Sequence, residues 1–334
     1  MMSKKKYSRV IGIDVSKELL EISDSHSKLT GQIANLPGDI RRALIAKIKD
    51  KANTLVVCEA TGGLEYDLVD LLHEENVDVV VANPAQVRHF AKGHGFLEKT
   101  DSIDAKVIQL FGEQVDVTPA TPRTDQQKKL TALTRRRSQV IDLLNQERNR
   151  AKQCRDVDSQ KWIKQSIKHL ENQQKAIDSA ITELLDEMAK TNPAIQILLS
   201  AKGVGYVSVA ILMAELPELG TVSRARIAKL AGVAPLADQS GNKNGKRSIG
   251  GGRSNVRSGL YLPTMSAMRF NPTIKRYADR LRKSKRPHKV MVIACMRKLL
   301  TILNLMVKNG TMWGEMKKGD ERETSPSPAC SIGI

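Results

Sequence analysis

Aromatic residues are scarce in this chain of 334 residues: four Phe, two Trp and five Tyr make up only 3% of it. That supply leaves little with which to stack nucleobases, so if the partner is nucleic acid, phosphate contacts must carry the binding. Cysteine is sparse too. Cys58, Cys154, Cys295 and Cys330 stand far apart, with no CxxC and no neighbouring histidine pair, which argues against a structural zinc site and predicts reduced thiols. No uninterrupted apolar span approaches the roughly 20 residues a bilayer requires. The best run, "VMVIACM", is stopped by Arg297 and Lys298. The opening "MMSKKKYSRV" carries positive charge with no apolar segment behind it, so no secretory leader and a cytoplasmic location are expected.

Acidic residues are nearly missing from 241–310, where seventeen Lys and Arg face the single Asp279, a net +16 within a chain of +18. Such a local field favours a polyanion, and without a membrane span nucleic acid is the expected partner. The chain is too long for one ordinary core, so two or three domains are expected.

From Ser8 to about Val117, "RVIGIDVS", "ELLEISDS" and "KLTGQIANL" are short alternating runs that predict an antiparallel meander. A helix over "GDIRRALIAKIK", a buried strand "TLVVCEA", a helix "LEYDLVDLLHEE", a strand "VDVVVAN" and a helix "DSIDAKVIQLFGEQ" follow. This order predicts a mixed sheet covered by helices. From about Gln126 to Lys190, apolar positions fall three and four apart, interrupted at Arg137 and Gln174, and "CRDVDSQK" can reverse the chain. An antiparallel helical hairpin or a helical linker fits that pattern equally. From Asn192 to Trp313 the chain reads as mainly helical. "SAKGVGYVS" puts Gly203 and Gly205 between two apolar stretches, as in a helix-hairpin-helix that brings backbone N–H groups to a phosphate, or as in a tight helix turn. The polar, proline-containing end reads as a tail.

Asp14 closes the first strand in "IGIDVS" and Glu59 closes "VVCEA"; Asp101 and Asp104 lie three apart on a predicted helix and share a face near its N-terminus. Converging carboxylates repel unless a cation joins them, and hard ions such as Mg2+ take carboxylate oxygens. Asp101 after Thr100 also reads as ordinary helix-end charge, and Asp104 as a solvated residue. Glu65, Asp67 and Asp70 read as surface charge.

In order, "IGIDVSK", "EATGG" and "KTDSIDA", then "GVG", "LAGVAPLADQSG" and "HKVMVIACMRKLL", resemble the DEDD-type insertion-sequence transposases, the bridge-RNA-guided serine recombinases. The resemblance covers nearly the whole chain except the tail. It implies an α/β plus all-α chain: an RNase H-like (RuvC-like) metal-binding domain over 1–120, a coiled-coil hairpin over 121–191, a transposase domain with a helix-hairpin-helix and a serine loop over 192–313, and a tail over 314–334. By motif match the family's carboxylates fall on Asp14, Glu59, Asp101 and Asp104, with Mg2+ as cofactor, and its serine falls on Ser240.

Ser240 opens "QSGNKNGKRSIGGGRSN", which holds no carboxylate. A serine hydroxyl is a weak nucleophile without an activator, and no histidine lies near it in sequence. From the residues alone it reads as a turn residue or phosphate donor; the resemblance makes it the nucleophile. Lys243, Lys246, Arg247, Arg253 and Arg257 are expected to meet a phosphate, as are Lys99 and the backbone at Gly203 and Gly205. The resemblance further implies donor and target DNA, a guide noncoding RNA, an active site assembled from different subunits, a dimer or tetramer, and no membrane. Competing readings are a metal-dependent structure-selective endonuclease, a noncatalytic nucleic-acid-binding protein, and an actin-like or sugar-kinase phosphate loop at "IGIDVS". The missing Gly-Thr after Asp14 and the basic second half count against the last.

Overall fold

The computed structural model describes residues 7–96, 98, 100–236, 239–240, 243–244 and 247–315, the residues 239, 240, 243 and 244 by backbone alone. The chain divides into two compact units, Met1–Arg123 and Thr124–Ile334.

In the first unit, β1 (Arg9–Val15), β2 (Leu19–Asp24) and β3 (Gly31–Ala34) form the antiparallel meander, and β4 (Thr54–Glu59) and β5 (Asp78–Ala82) join β1 in parallel, giving the order β3-β2-β1-β4-β5. The helix expected over "GDIRRALIAKIK" is instead a succession of short turns: α1 (Pro37–Asp39), a π turn over Ile40–Leu44 and a 3-10 turn over Ile45–Lys47. The changes of pitch let Ile40, Leu44, Ile45 and Ile48 all reach one core cluster, which a single regular helix with polar neighbours does less well. Later come α2 (Tyr66–Glu74), α3 (Pro84–Gly93) and α4 (Asp101–Gln114).

Strand alternation splits the sheet into two faces. Ile11, Ile13, Val56, Cys58 and Val79 pack in the cluster that includes Leu68 and Leu72 of α2. Val10, Leu55, Val57 and Val80 pack on the other face with Val107, Ile108 and Phe111 of α4. Gly12 is what allows α4 to lie so close. A Cβ there would stand 2.3 Å from the Gln109 nitrogen and 2.4 Å from the Ala105 oxygen, both backbone. Gly112 of α4 answers it, with a Cβ position 2.6 Å from Val57 Cγ2. At the start of β1 the buried Arg9 forks onto Asp24, with Nε–Oδ1 at 2.9 Å and Nη2–Oδ2 at 2.8 Å.

The second unit opens with α5 (Asp125–Gln153) and α6 (Val157–Ala189), which run antiparallel: Arg137 pairs with Asp178 and Arg148 with Glu171 across them. Thr124 and Gln127 cap α5 reciprocally, and Asp156 accepts from the Ser159 N–H at 2.7 Å to start α6. Arg137, the polar interruption in the apolar pattern, is therefore one of the residues that match α5 to α6. Then follow α7 (Ala194–Leu199), α8 (Tyr206–Glu215), α9 (Arg224–Leu230), the two-residue strands β6 (Pro235–Leu236), β7 (Gln239–Ser240), β8 (Lys243–Asn244) and β9 (Ser248–Ile249), and α10 (Ser254–Phe270), α11 (Pro272–Lys283) and α12 (His288–Asn309). One core cluster runs from Leu130 and Ile181 through α7–α10 to Met306. α12 is long and apolar enough to cross a bilayer by length and composition, but its Met291, Cys295, Leu299, Leu303 and Met306 are buried in that core.

Candidate functional site

Asp14 and Glu59 stand at the C-terminal ends of β1 and β4, each one residue past the registered pair Ile13↔Cys58. Alternation turns both away from the α2 side and towards the face that α4 covers. Thr100 caps α4, its Oγ1 accepting from the Ile103 N–H at 3.4 Å, and places Asp101 and Asp104 in the first turn. Asp14 and Asp101 line one pocket, together with Ser16, Leu19, Glu21 and Gln32. Glu59 and Asp104 do not line it. Among the described residues no three acidic, histidine or cysteine side chains converge tightly enough to hold an ion by themselves. The tight four-carboxylate cluster expected from the sequence is thus not formed; one sheet edge and one helix end carry the four groups instead. Lys99, expected at nucleic acid, lies outside the described residues.

The donors present still fit a hard divalent cation. Mg2+ keeps several waters and usually takes only one or two protein carboxylates, with substrate phosphate completing the shell. Glu21 Oε2, in the same pocket, is buried and has no hydrogen-bond partner.

Glu65 corrects the surface-charge reading. It is 4% exposed, and its Oε2 accepts from the Thr61 N–H at 3.2 Å, the Thr61 hydroxyl at 2.9 Å and the Gly63 N–H at 2.7 Å. The carboxylate thereby ties down the "ATGG" loop that leaves Glu59, where Gly62 and Gly63 take φ of 79° and 121°. Asp70 is likewise engaged, by Arg123 at 3.2 Å. Burial pushes the Cys58 thiol up, and the neighbouring Glu65 and Glu59 push it further, so this cysteine is an inert core residue.

In the second unit, Ser240 is the Cα partner of Lys243 in the β7–β8 pair, so it borders the hairpin's two-residue connection. The side chains of Ser240 and Lys243, and all of Lys246, lie outside the described residues. Below this hairpin β6 pairs with β9, and below that the chain is clasped backbone to backbone. A Cβ on Gly252 would stand 2.3 Å from the Gly232 nitrogen, and one on Gly232 2.3 Å from the Gly251 oxygen. The Arg253 N–H donates to the Leu230 oxygen at 2.7 Å.

Two arginines expected at phosphate are engaged at this base. Arg253 forks onto Glu218, Nη1–Oε2 at 2.6 Å and Nη2–Oε1 at 2.7 Å. Burial opposes ionisation of Glu218, but the fork on both oxygens prevails and holds its carboxyl below the usual range. Arg257 donates to the Gly251 oxygen at 3.0 Å. Arg247 is half-buried where the loop returns. Gly203 has φ 99° and abuts α10, its Cβ position 2.7 Å from the Ala267 nitrogen, which makes it a packing glycine; the space around Gly205, at the start of α8, is open. Glu218 gave no sequence signal as a loop anchor, whereas Glu21 had one, since alternation in "LLEIS" turns it to the same face as Asp14.

Two family models match the chain: that of the DEDD transposases of the IS110 type over residues 11–157, and that of the IS116/IS110/IS902 transposase family over residues 195–279. The first spans the carboxylates and the second the serine loop. Two pilin gene-inverting proteins, from Moraxella lacunata and Moraxella bovis, are each 27% identical over 258 residues, 76% of this chain and 80% of theirs. With both domain matches in family order, this chain belongs to the IS110-type DEDD transposases, enzymes that act on DNA.

Proposed function

We propose that this transposase cleaves and rejoins DNA through Ser240, with Mg2+ held at the face that carries Asp14, Glu59, Asp101 and Asp104. The observation that carries the reading is the placement of Asp14 and Asp101 on one pocket at the C-terminal edge of the parallel strands. The names of the gene-inverting relatives support a site-specific rearrangement of DNA, with inversion among its outcomes.

When bound, the cation supplies Lewis-acid stabilisation of charge on the phosphate and the departing oxygen. Asp14 and Asp101 hold it, and Glu59 and Asp104 set the field around it. Ser240 Oγ forms a bond to phosphorus while the bond from phosphorus to one sugar oxygen breaks. The serine proton passes to solvent, and the departing oxygen takes one up. Rejoining reverses this, a sugar hydroxyl displacing the serine. The glycine clasp and the Arg253–Glu218 fork brace the base of the segment that carries Ser240. Lys243, Lys246 and Arg247 face the phosphate backbone, as do Lys99 and the turn at Gly205.

On this reading Ser240 and the carboxylates that serve one phosphate come from different subunits of a dimer or tetramer. Residues 1–120 form a RuvC-like domain, 121–191 a coiled coil, 192–313 a transposase domain with a helix-hairpin-helix, and 314–334 a tail. A guide noncoding RNA supplies sequence choice for donor and target by base pairing, which suits a basic protein with few aromatics. Asp14→Ala and Glu59→Ala are each expected to lower Mg2+-dependent strand cleavage of element-end DNA at least 100-fold while leaving duplex retention on a gel intact. Unchanged cleavage in both variants contradicts the proposal; no cleavage by the wild type, with duplex retention intact in all three proteins, favours a protein that only binds nucleic acid.

A further inference from the structure

We propose that Glu21 is a ligand of the same divalent cation as Asp14, facing it from the adjacent strand; this rests on the metal-site reading above. The two residues are direct Cα partners in the antiparallel β1–β2 pair, so their side chains leave the same face of the sheet. Like charges directly opposite each other destabilise a sheet, and here a third carboxylate, Asp101, lines the pocket as well. Among the described residues that line the pocket, none carries a positive charge. Gln32, the partner of Glu21 on β3, is neutral, and the Ser16 hydroxyl is occupied by its own turn, donating to the Leu19 oxygen at 2.8 Å.

Glu21 Oε2 is buried and without a hydrogen-bond partner. A carboxylate oxygen removed from water and left unpaired beside another carboxylate carries a desolvation cost that only a cation or a shared proton can offset. The donor chemistry favours the cation. Two facing carboxylates with open neighbouring space are what Mg2+ takes from a protein when water and phosphate supply its other ligands. Glu21 belongs to β2, inside the meander and outside the "IGIDVSK", "EATGG" and "KTDSIDA" segments, so motif matching passes over it.

The full-length protein titrated with Mn2+ alone, with free ion followed by electron paramagnetic resonance, tests the assignment, and melting temperature with and without MgCl2 provides a second readout. E21Q keeps the shape of the side chain and removes one of two facing charges. It is expected to melt at or above the wild-type temperature without metal, to bind Mn2+ at least tenfold more weakly, and to lose most of the Mg2+-induced rise in melting temperature. D14N serves as the reference. If D14N weakens Mn2+ binding and E21Q does not, the assignment of Glu21 is overturned while the metal site stands. If neither substitution changes Mn2+ binding, the metal reading of this sheet edge fails and the role of Glu21 falls with it.

Discussion

Asp24→Ala is expected to cost the first unit about 3–5 kcal/mol, enough to unfold many domains, because it leaves a buried guanidinium without its counter-charge. Arg9 is 7% and Asp24 3% exposed, and the Asp24 carboxylate also accepts the backbone N–H groups of His26, Lys28 and Leu29 at 3.0–3.1 Å. One side chain therefore closes the turn after β2 and neutralises the first residue of β1. Burial works against ionisation of Asp24, but the Arg9 fork and these N–H groups outweigh it and hold the carboxyl below its ordinary value of 3.8. The sign follows from linkage. The stabilisation is fully present above the unfolded carboxyl's value and is lost as the pH falls through the lower folded one. Urea melts from pH 7 down to pH 2 should show an acid-side loss of stability in the wild type that is smaller in Asp24→Asn. An apolar pair, Arg9→Met with Asp24→Leu, should be milder than Asp24→Ala, since it strands no charge.

Gly12→Ala is expected to cost about 3 kcal/mol or more, at the top of the range for overpacking, and to abolish strand cleavage in whatever protein remains folded. The added methyl meets backbone atoms of Ala105 and Gln109 in α4, so no rotamer change relieves it. Either α4 moves off the sheet or β1 bends. Because Asp14 lies two residues along β1 from Gly12 and Asp101 begins α4, both responses displace the pocket that these two residues line. Gly112→Ala should be milder, since its clash is with Val57 Cγ2 and Val10 Cγ1, side-chain atoms that can turn. Melting curves of the two variants side by side check the order.

The contrast between those glycines shows what was legible in the sequence. The strands of the first unit were, because alternation and turn residues mark them, and so was the mixed order of the sheet. The closeness of α4 to β1 was not, since it is a backbone contact that a glycine permits without announcing. α3 had a readable start in Asn83, whose side chain accepts from Ala85, followed by Pro84, yet its apolar stripe is thin and only Val87 is buried. The turns after β3 carry a helical apolar period but divide it among three pitches, a choice made by the core beneath them.

At the site, the strand-end carboxylates and the α4 cap could be placed from the sequence. Glu65 could not, since its burial depends on how the "ATGG" loop folds back over it. Nor could the commitment of Arg253 to Glu218, because a residue's pairing across 35 positions leaves no local trace. A run of arginines beside a glycine-rich loop suggests phosphate binding but does not show that two of them also brace the base of the loop.

The measurement that bears most directly on the account is a search for a covalent protein–DNA adduct that survives denaturant, made with element-end DNA and Mg2+. An adduct whose peptide map places the phosphate on Ser240 is expected, absent in Ser240→Ala and in Asp14→Ala. Cleavage that continues unchanged in Ser240→Ala, with no adduct in the wild type, contradicts it and assigns the chain a metal-dependent hydrolytic cut in its place.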